Sequence, residues 1–104
     1  MGSYGTDYEK LTVSTSVVSL DADKVAVASK AVIFVESSTS KYARFLYCAQ
    51  DPTTANGNPV TNGQSFDVEG LENLQNFRAI RANDEDVTFH VNYESFNPDD
   101  APTA

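Results

Sequence analysis

Near the C-terminus, strict alternation of apolar and polar residues restricts the fold more than any other feature of the sequence. The apolar positions are Val87, Phe89, Val91 and Tyr93, and a polar side chain stands between each pair. Side chains of an extended strand point alternately to its two faces, so this spacing places all four apolar groups on one face. The segment therefore predicts a strand with one face in a hydrophobic core and the other in solvent.

Five further segments have strand character, and polar links separate them. They cover residues 11–17, 31–35, 41–49, 64–69 and 77–82. The continuous apolar run at 31–35 is typical of a strand that is covered on both faces. A change of parity between Val17 and Val18 predicts a bend or bulge at that point. The only helix-compatible segment is residues 70–76, which has two leucines three positions apart.

These segments predict an all-β fold, a small antiparallel β-sandwich of about six to eight strands with one short helical turn near residues 71–76. A small barrel would give the same signals. The chain has 104 residues, enough for one domain, which we assign to residues 8–94. Residues 1–7 and 95–104 lack an apolar pattern, and we expect them to be flexible N-terminal and C-terminal arms.

Charge excludes several classes of partner. Fifteen acidic and seven basic residues give a formal charge of −8, and most of this excess lies in residues 53–104. Nucleic acids and anionic membrane surfaces bind positively charged surfaces, so we expect neither to be a partner. No apolar run is long enough to span a membrane, and the first residues lack the pattern of a secretory signal.

The sequence offers little material for catalysis or metal binding. Cys48 and His90 are the only cysteine and the only histidine. We expect Cys48 to fill space in the core and His90 to lie on the polar face of the last strand, which would keep the two apart. The acidic residues at 84–86 do not have the spacing of a calcium-binding loop, and a solvated turn explains them equally well. We therefore predict a protein with no enzymatic activity, no cofactor and no metal.

Five residues are candidates for contacts with a partner. Tyr4, Tyr8 and Phe96 lie in or beside the arms, where they would either pack on a sheet edge or dock on a neighbouring subunit. Arg78 and Arg81 have opposite parity in one strand, so both cannot be buried on the same face. Their partners would be either the acidic turn at 84–86 or another subunit.

The segment from residue 30 to residue 94 resembles small proteins that are encoded among the virion genes of tailed bacteriophages. Its motifs are KAVIFVE (30–36), RFLY (44–47), DPTT (51–54), FDV (66–68), FRAIR (77–81) and VTFHVNY (87–93), together with Gly63, Gly70 and Leu74. The sequence departs from this pattern at residues 48–51 and has a longer insertion at 56–62.

The resemblance implies a structural protein of the virion, a capsid decoration or cement protein with a β-sandwich fold. It implies a location on the capsid surface, with the major capsid protein and further copies of the chain, assembled as a trimer, as partners. A tail, baseplate or head-fibre module is an alternative, because such modules share these folds. An adhesion module that binds carbohydrate through the long polar loop at 50–63 is another.

Overall fold

The computed structural model describes residues 3–96, which form two antiparallel β-sheets packed face to face. The strands within this range are β1 (Ser3–Val13), β2 (Lys30–Glu36), β3 (Tyr42–Leu46), β4 (Asn58–Thr61), β5 (Ser65–Glu69), β6 (Arg78–Arg81) and β7 (Val87–Phe96). The helices are α1 (Ala22–Val25) and α2 (Leu71–Gln75). The predicted all-β sandwich is confirmed, and α2 is the predicted helical turn.

The two sheets differ in size. Sheet A has the strand order β1-β7-β2-β5, and sheet B has the order β4-β3-β6. Strand β7 lies between β1 and β2, and all four of its predicted inward-facing residues are fully buried. The alternation that predicts this strand therefore marks the centre of the larger sheet.

Four phenylalanine rings join the two sheets in the core. Phe45 comes from β3, Phe66 from β5 and Phe89 from β7, and Phe77 directly precedes β6. Phe45 and Phe66 stack with their centroids 4.2 Å apart, and Phe66 meets Phe89 edge-on at 5.9 Å. Offset stacks and edge-on pairs are the arrangements that aromatic quadrupoles favour. The cluster fixes how the sheets face each other.

Strand β2 is covered on one face only, so the prediction of a strand covered on both faces is wrong. Ala31, Ile33 and Val35 point into the core, whereas Phe34 on the opposite face is 49% exposed. Sheet B covers the inner side of sheet A, and no second layer of the described residues covers its outer side. Apolar composition alone does not distinguish a strand that is covered on one face from a strand that is covered on both.

The chain between β1 and β2 differs from expectation in two respects, because the strand predicted over residues 11–17 ends at Val13 and a second helix is present. The parity change marks the crossing from sheet A to sheet B, because Val18 forms an isolated bridge with Ala79 of β6. Helix α1 follows, although the sequence predicts only one helical turn. It has four residues, too few for a periodic pattern, and begins where the Asp21 carboxylate accepts hydrogen bonds from the backbone N–H groups of Asp23 and Lys24.

The strands at the two ends of the chain are longer than predicted. Residues 3–7 and 95–96, assigned to the arms, lie in β1 and β7, where residues 3–4 pair with 95–96 and residues 5 and 7 pair with 94 and 93. A register shift between Gly5 and Asp7 interrupts this ladder. The two segments supply each other's backbone hydrogen bonds, a pairing that no apolar pattern in either segment reveals. The remaining parts of the predicted arms lie outside the described residues.

Candidate interaction surface

The five predicted interaction residues are distributed over both sheets. Tyr8 is on β1, opposite Asn92 of β7. The backbones of Tyr4 and Phe96 lie at the far end of the same ladder. Arg78 and Arg81 are on β6 of sheet B, so the structure does not bring the two groups together.

Both arginines of β6 have partners within the chain. Arg81 pairs with Asp86 of the acidic turn, with 2.7 Å between Nη1 and Oδ1. The Nε of Arg78 lies 3.8 Å from Asp51, and its Nη1 donates to two backbone carbonyls. The sequence suggests either the acidic turn at 84–86 or another subunit as the partner of these arginines. For Arg81, the structure shows the pair with the acidic turn.

Cys48 is exposed, so its predicted burial is wrong. Strand β3 ends at Leu46, and Ala49 adopts a left-handed conformation with φ of 66°. Cys48 has the parity of Tyr42, Arg44 and Leu46, opposite to the buried Ala43 and Phe45, so the alternation of β3 also gives no reason for burial. His90 lies on sheet A, on the polar face of β7 as its parity indicates.

The outer face of sheet A is the most distinctive surface of the described domain. The pairing register aligns its outward-facing side chains in rows across β1, β7 and β2. One row contains Lys10, His90 and Phe34, and the next contains Tyr8, Asn92 and Val32. Tyr8 is 48% exposed and Phe34 is 49% exposed, so two large apolar side chains stand on an open sheet.

A hydrogen-bonded chain of side chains crosses this face. The Tyr8 hydroxyl lies 2.7 Å from His90 Nδ1, and His90 Nε2 lies 2.8 Å from Glu36 Oε1. With the proton on Nε2, a neutral His90 donates to Glu36 and accepts from Tyr8. The rings of Tyr8 and His90 also stack, with an interplanar angle of 19°. The network therefore holds the Tyr8 ring in place on the sheet.

Neighbouring groups favour the charged form of Glu36. The hydrogen bond from His90 holds the pKa of Glu36 below its ordinary value, and the positive charge of Lys10, joined by that of His90 whenever its ring is protonated, acts in the same direction. The Glu36 side chain is itself largely exposed. The outer face therefore presents a carboxylate at one end of β2, while Lys30 stands at the other end, 3.7 Å from Asp67.

Sheet B carries a shallow groove of about 550 Å³. Tyr42, Arg44 and Pro59 contribute to its lining, and the Arg44 guanidinium lies over the Tyr42 ring at 5.4 Å. Arg44 also donates to the backbone carbonyls of Thr54 and Gly57. These bonds occupy two of its nitrogen atoms, so the side chain anchors the long polar loop to sheet B.

Gly57 lies in this anchored loop, and its surroundings predict that a larger residue there destabilises the fold. Its φ is 130°, and a Cβ there would lie 3.0 Å from the Arg44 Cβ and 3.1 Å from the Pro52 Cβ. We expect Gly57→Ala to lower the free energy of unfolding by about 2–3 kcal/mol, measured by urea denaturation. The matched control is Gly63→Ala, because Gly63 also has positive φ but no atom within 4 Å of its added Cβ. Equal losses in both variants would show that the contact at Gly57 contributes nothing.

The described part of the chain offers no other obvious chemical site. Among these residues, no group of three or more His, Cys, Asp and Glu side chains is placed to hold a metal ion. None of the helices within residues 3–96 combines the length and the apolar character needed to cross a membrane. Comparison with protein-family models gives no match, and no curated protein or solved structure matches the chain significantly.

Sequence reasoning misses two members of the outer face, Phe34 and Glu36, and does not link His90 to a partner. The available signal is parity, because Phe34 and Glu36 alternate with the buried residues of β2. Parity does not reveal that His90 lies beside both Tyr8 and Glu36. That juxtaposition needs the strand order β1-β7-β2.

Proposed function

We propose that the chain is a non-enzymatic structural protein of a phage particle, a decoration or cement protein that binds the head shell from outside. The observation that supports this most is the uncovered outer face of sheet A, on which Tyr8 and Phe34 are each about half exposed. The virion context rests on the resemblance of residues 30–94 described above.

The chemistry of the outer face suits binding to a large partner. Aromatic side chains contribute much contact area for few rotatable bonds, and they are enriched where protein interfaces lose water. The Tyr8–His90–Glu36 chain fixes one of these rings before any partner arrives. Less conformational entropy is then lost on binding.

The proposed partners are the major capsid protein and further copies of this chain, at the capsid surface. A shell offers many equivalent sites, so weak single contacts are sufficient when neighbouring contacts hold each copy near its place. The trimer implied by the resemblance stays a prediction. The number of copies per particle separates a shell protein, with hundreds, from a tail or baseplate module, with six or twelve.

The groove on sheet B favours a second candidate function, adhesion to a carbohydrate. The Tyr42 ring and the polar side chains of Ser40, Thr61 and Gln64, all in the lining of the groove, offer a platform and hydrogen-bonding groups for a sugar. A glycan array separates the two functions. Hits that disappear in a Tyr42→Ala variant would favour adhesion over a structural role.

The proposed function predicts that Phe34→Glu abolishes binding to particles. The substitution places a charge at the centre of the outer face, where the side chain is exposed, so the fold should persist. The variant is added to particles that lack the protein, and the number of bound copies is measured by quantitative mass spectrometry. We expect this number to be more than about tenfold lower than for the unmodified chain. Val27→Glu is the control, because Val27 is also exposed but lies in the link after α1. Unchanged occupancy in Phe34→Glu would contradict the proposal.

A further inference from the structure

We propose that Asn56 is a site of spontaneous covalent modification, at which the side chain closes onto the backbone and water converts it to aspartate or isoaspartate. The sequence contains two Asn-Gly pairs, Asn56-Gly57 and Asn62-Gly63, and the fold leaves only the first one ready to react. The inference goes beyond the proposed function and does not depend on it. A change of this kind alters the charge and the main-chain geometry without any enzyme.

The reaction joins two adjacent residues. The backbone nitrogen of the glycine loses its proton and attacks Cγ of the asparagine side chain, so that a new C–N bond forms. The bond between Cγ and the side-chain nitrogen breaks, and this nitrogen takes up a proton and leaves as ammonia. Water then opens the cyclic succinimide, and cleavage at Cγ gives aspartate whereas cleavage at the backbone carbonyl gives isoaspartate. No oxidant or reductant takes part, and glycine hinders the attack least because it has no side chain.

Both reacting groups of the first pair lack a hydrogen-bond partner. Within residues 3–96, no hydrogen bond involves the amide of the Asn56 side chain or the backbone N–H of Gly57. Asn56 is exposed, and its backbone N–H donates to the Thr53 hydroxyl at 3.0 Å. The loop therefore holds the backbone of Asn56, while the side chain can rotate towards the neighbouring nitrogen.

Two groups stabilise the charge that develops in the attack. The proton that Gly57 loses leaves a negative charge shared with the carbonyl oxygen of Asn56, because both atoms belong to one peptide group. The backbone N–H of Thr53 donates to this oxygen at 2.9 Å. The Arg44 guanidinium also lies against the loop, where its Nη1 donates to the carbonyl of Gly57 at 2.9 Å. A hydrogen-bond donor and a cation beside a developing anion lower the barrier to its formation.

The second pair has both reacting groups bound. The N–H of Gly63 donates to the carbonyl of Val35 at 2.9 Å, so the proton that must leave is held by an acceptor. The N–H of Ser37 donates to Asn62 Oδ1 at 3.1 Å and fixes the direction of the amide. Attack therefore requires the turn to open first. Asn62 is exposed like Asn56, so hydrogen bonding and not accessibility separates the two pairs.

Reaction at Asn56 changes the loop that Arg44 anchors. Either product adds one negative charge to the formal charge of −8. Isoaspartate also lengthens the main chain by a methylene group directly before Gly57, which packs closely against Arg44 and Pro52. The longer main chain displaces the carbonyl that Arg44 binds, so we expect the isoaspartate form to lose this anchor.

The test is peptide mapping of the purified chain during incubation at neutral pH. Mass spectrometry detects each modified residue by the difference in mass between the ammonia lost and the water gained, and fragment ions assign it to position 56 or 62. We expect modification at Asn56 to be at least about thirtyfold faster than at Asn62, because reaction at Asn62 requires two hydrogen bonds to break. Raising the pH by one unit should speed the reaction at Asn56 about tenfold, since the fraction of deprotonated peptide rises in that proportion.

The same chain unfolded in urea is the matched control. Both pairs then have the same local chemistry, so the two rates should agree within about threefold. Asn58 is an internal control, because Pro59 has no backbone N–H and its nitrogen cannot attack. Asn56→Gln should remove the signal at position 56, since the longer side chain closes a less favourable ring, and should leave the rate at Asn62 unchanged.

Three results would overturn the inference. The first is an Asn56 that stays intact in the folded chain although it reacts in urea. The second is a similar rate at Asn56 and Asn62 in the folded chain. The third is a difference between the two rates that persists in urea, because such a difference would come from the local sequence and not from the fold.

The expected loss of the Arg44 anchor has its own test. Chromatography separates the isoaspartate form, and Asn56→Asp supplies the same charge on an unchanged main chain. We expect the unfolding equilibrium constant, measured by urea denaturation, to be at least about tenfold larger for the isoaspartate form than for Asn56→Asp, because a hydrogen bond from a charged guanidinium is lost. Equal constants would show that Arg44 keeps its bond to Gly57 and would overturn this part of the inference.

Discussion

Replacement of Phe77 by alanine is expected to lower the free energy of unfolding by about 4 kcal/mol. The Phe77 ring is fully buried, and its centroid lies 5.6 Å from that of Phe45, 6.2 Å from Phe66 and 6.3 Å from Phe89. Its removal takes apolar surface out of the core and leaves a cavity between the two sheets. Domains of this size have a total stability of about 5–15 kcal/mol, so the loss is a large part of it.

Urea denaturation followed by circular dichroism measures this loss, and Phe34→Ala is the matched control. The same atoms are removed there, but the Phe34 ring is half exposed and its strand keeps a buried face, so we expect less than about 1 kcal/mol. Phe77→Leu should cost about 1–2 kcal/mol and keeps the experiment informative if the alanine variant does not fold. Similar losses for Phe77→Ala and Phe34→Ala would show that the aromatic cluster does not hold the sheets together.

The contrast between these two phenylalanines also shows how far the sequence predicts the fold. Strand β7 is predictable because its period of two coincides with burial at every inward position. Phe34 lies in an apolar run, and only the absence of a covering layer on sheet A makes it exposed. The local sequence shows which residues are apolar. Whether a second layer of the protein covers the outer face of a sheet depends on how all the strands pair.

The candidate surface depends still more on long-range pairing. Tyr8 and His90 are 82 residues apart in the chain, and His90 and Glu36 are 54 apart. Each residue taken alone is an ordinary polar or aromatic side chain on a strand. They act as a group because β7 lies between β1 and β2. The local pattern of a single sequence identifies strands but does not predict this order.

Glu9 illustrates the same dependence inside the domain. Its carboxylate accepts a hydrogen bond from the Tyr93 hydroxyl at 2.6 Å and another from the backbone N–H of Asp21 at 3.2 Å. One side chain therefore connects β1, β7 and the beginning of α1. The alternation of β7 places Tyr93 inward, but the partner of its hydroxyl comes from the opposite end of the chain.

This contact makes the domain sensitive to alkaline pH. Burial raises the pKa of Tyr93 above its ordinary value of 10.0, and the hydrogen bond to the Glu9 carboxylate acts in the same direction. The folded state keeps Tyr93 neutral while the unfolded state ionises, so stability that is fully present below pH 10 is lost as the pH rises. The slope approaches about 1.4 kcal/mol per pH unit above pH 11, and the loss between pH 10 and pH 12 is about 2.3 kcal/mol, because the unfolded tyrosine is only half ionised at pH 10.

Tyr93→Phe isolates this contribution. The variant should lose about 1.5–3 kcal/mol at neutral pH, because the hydrogen bond to Glu9 is gone, and its stability should fall less steeply above pH 10. Tyr47→Phe is the control, since Tyr47 is exposed and should alter neither quantity. Asp7 and Asp84 raise the pKa of Lys24 and of Lys41, so the slope that remains in Tyr93→Phe includes these lysines. If urea denaturation between pH 9 and pH 12 gives parallel curves for Tyr93→Phe and the unmodified chain, Tyr93 is not the alkaline-sensitive group.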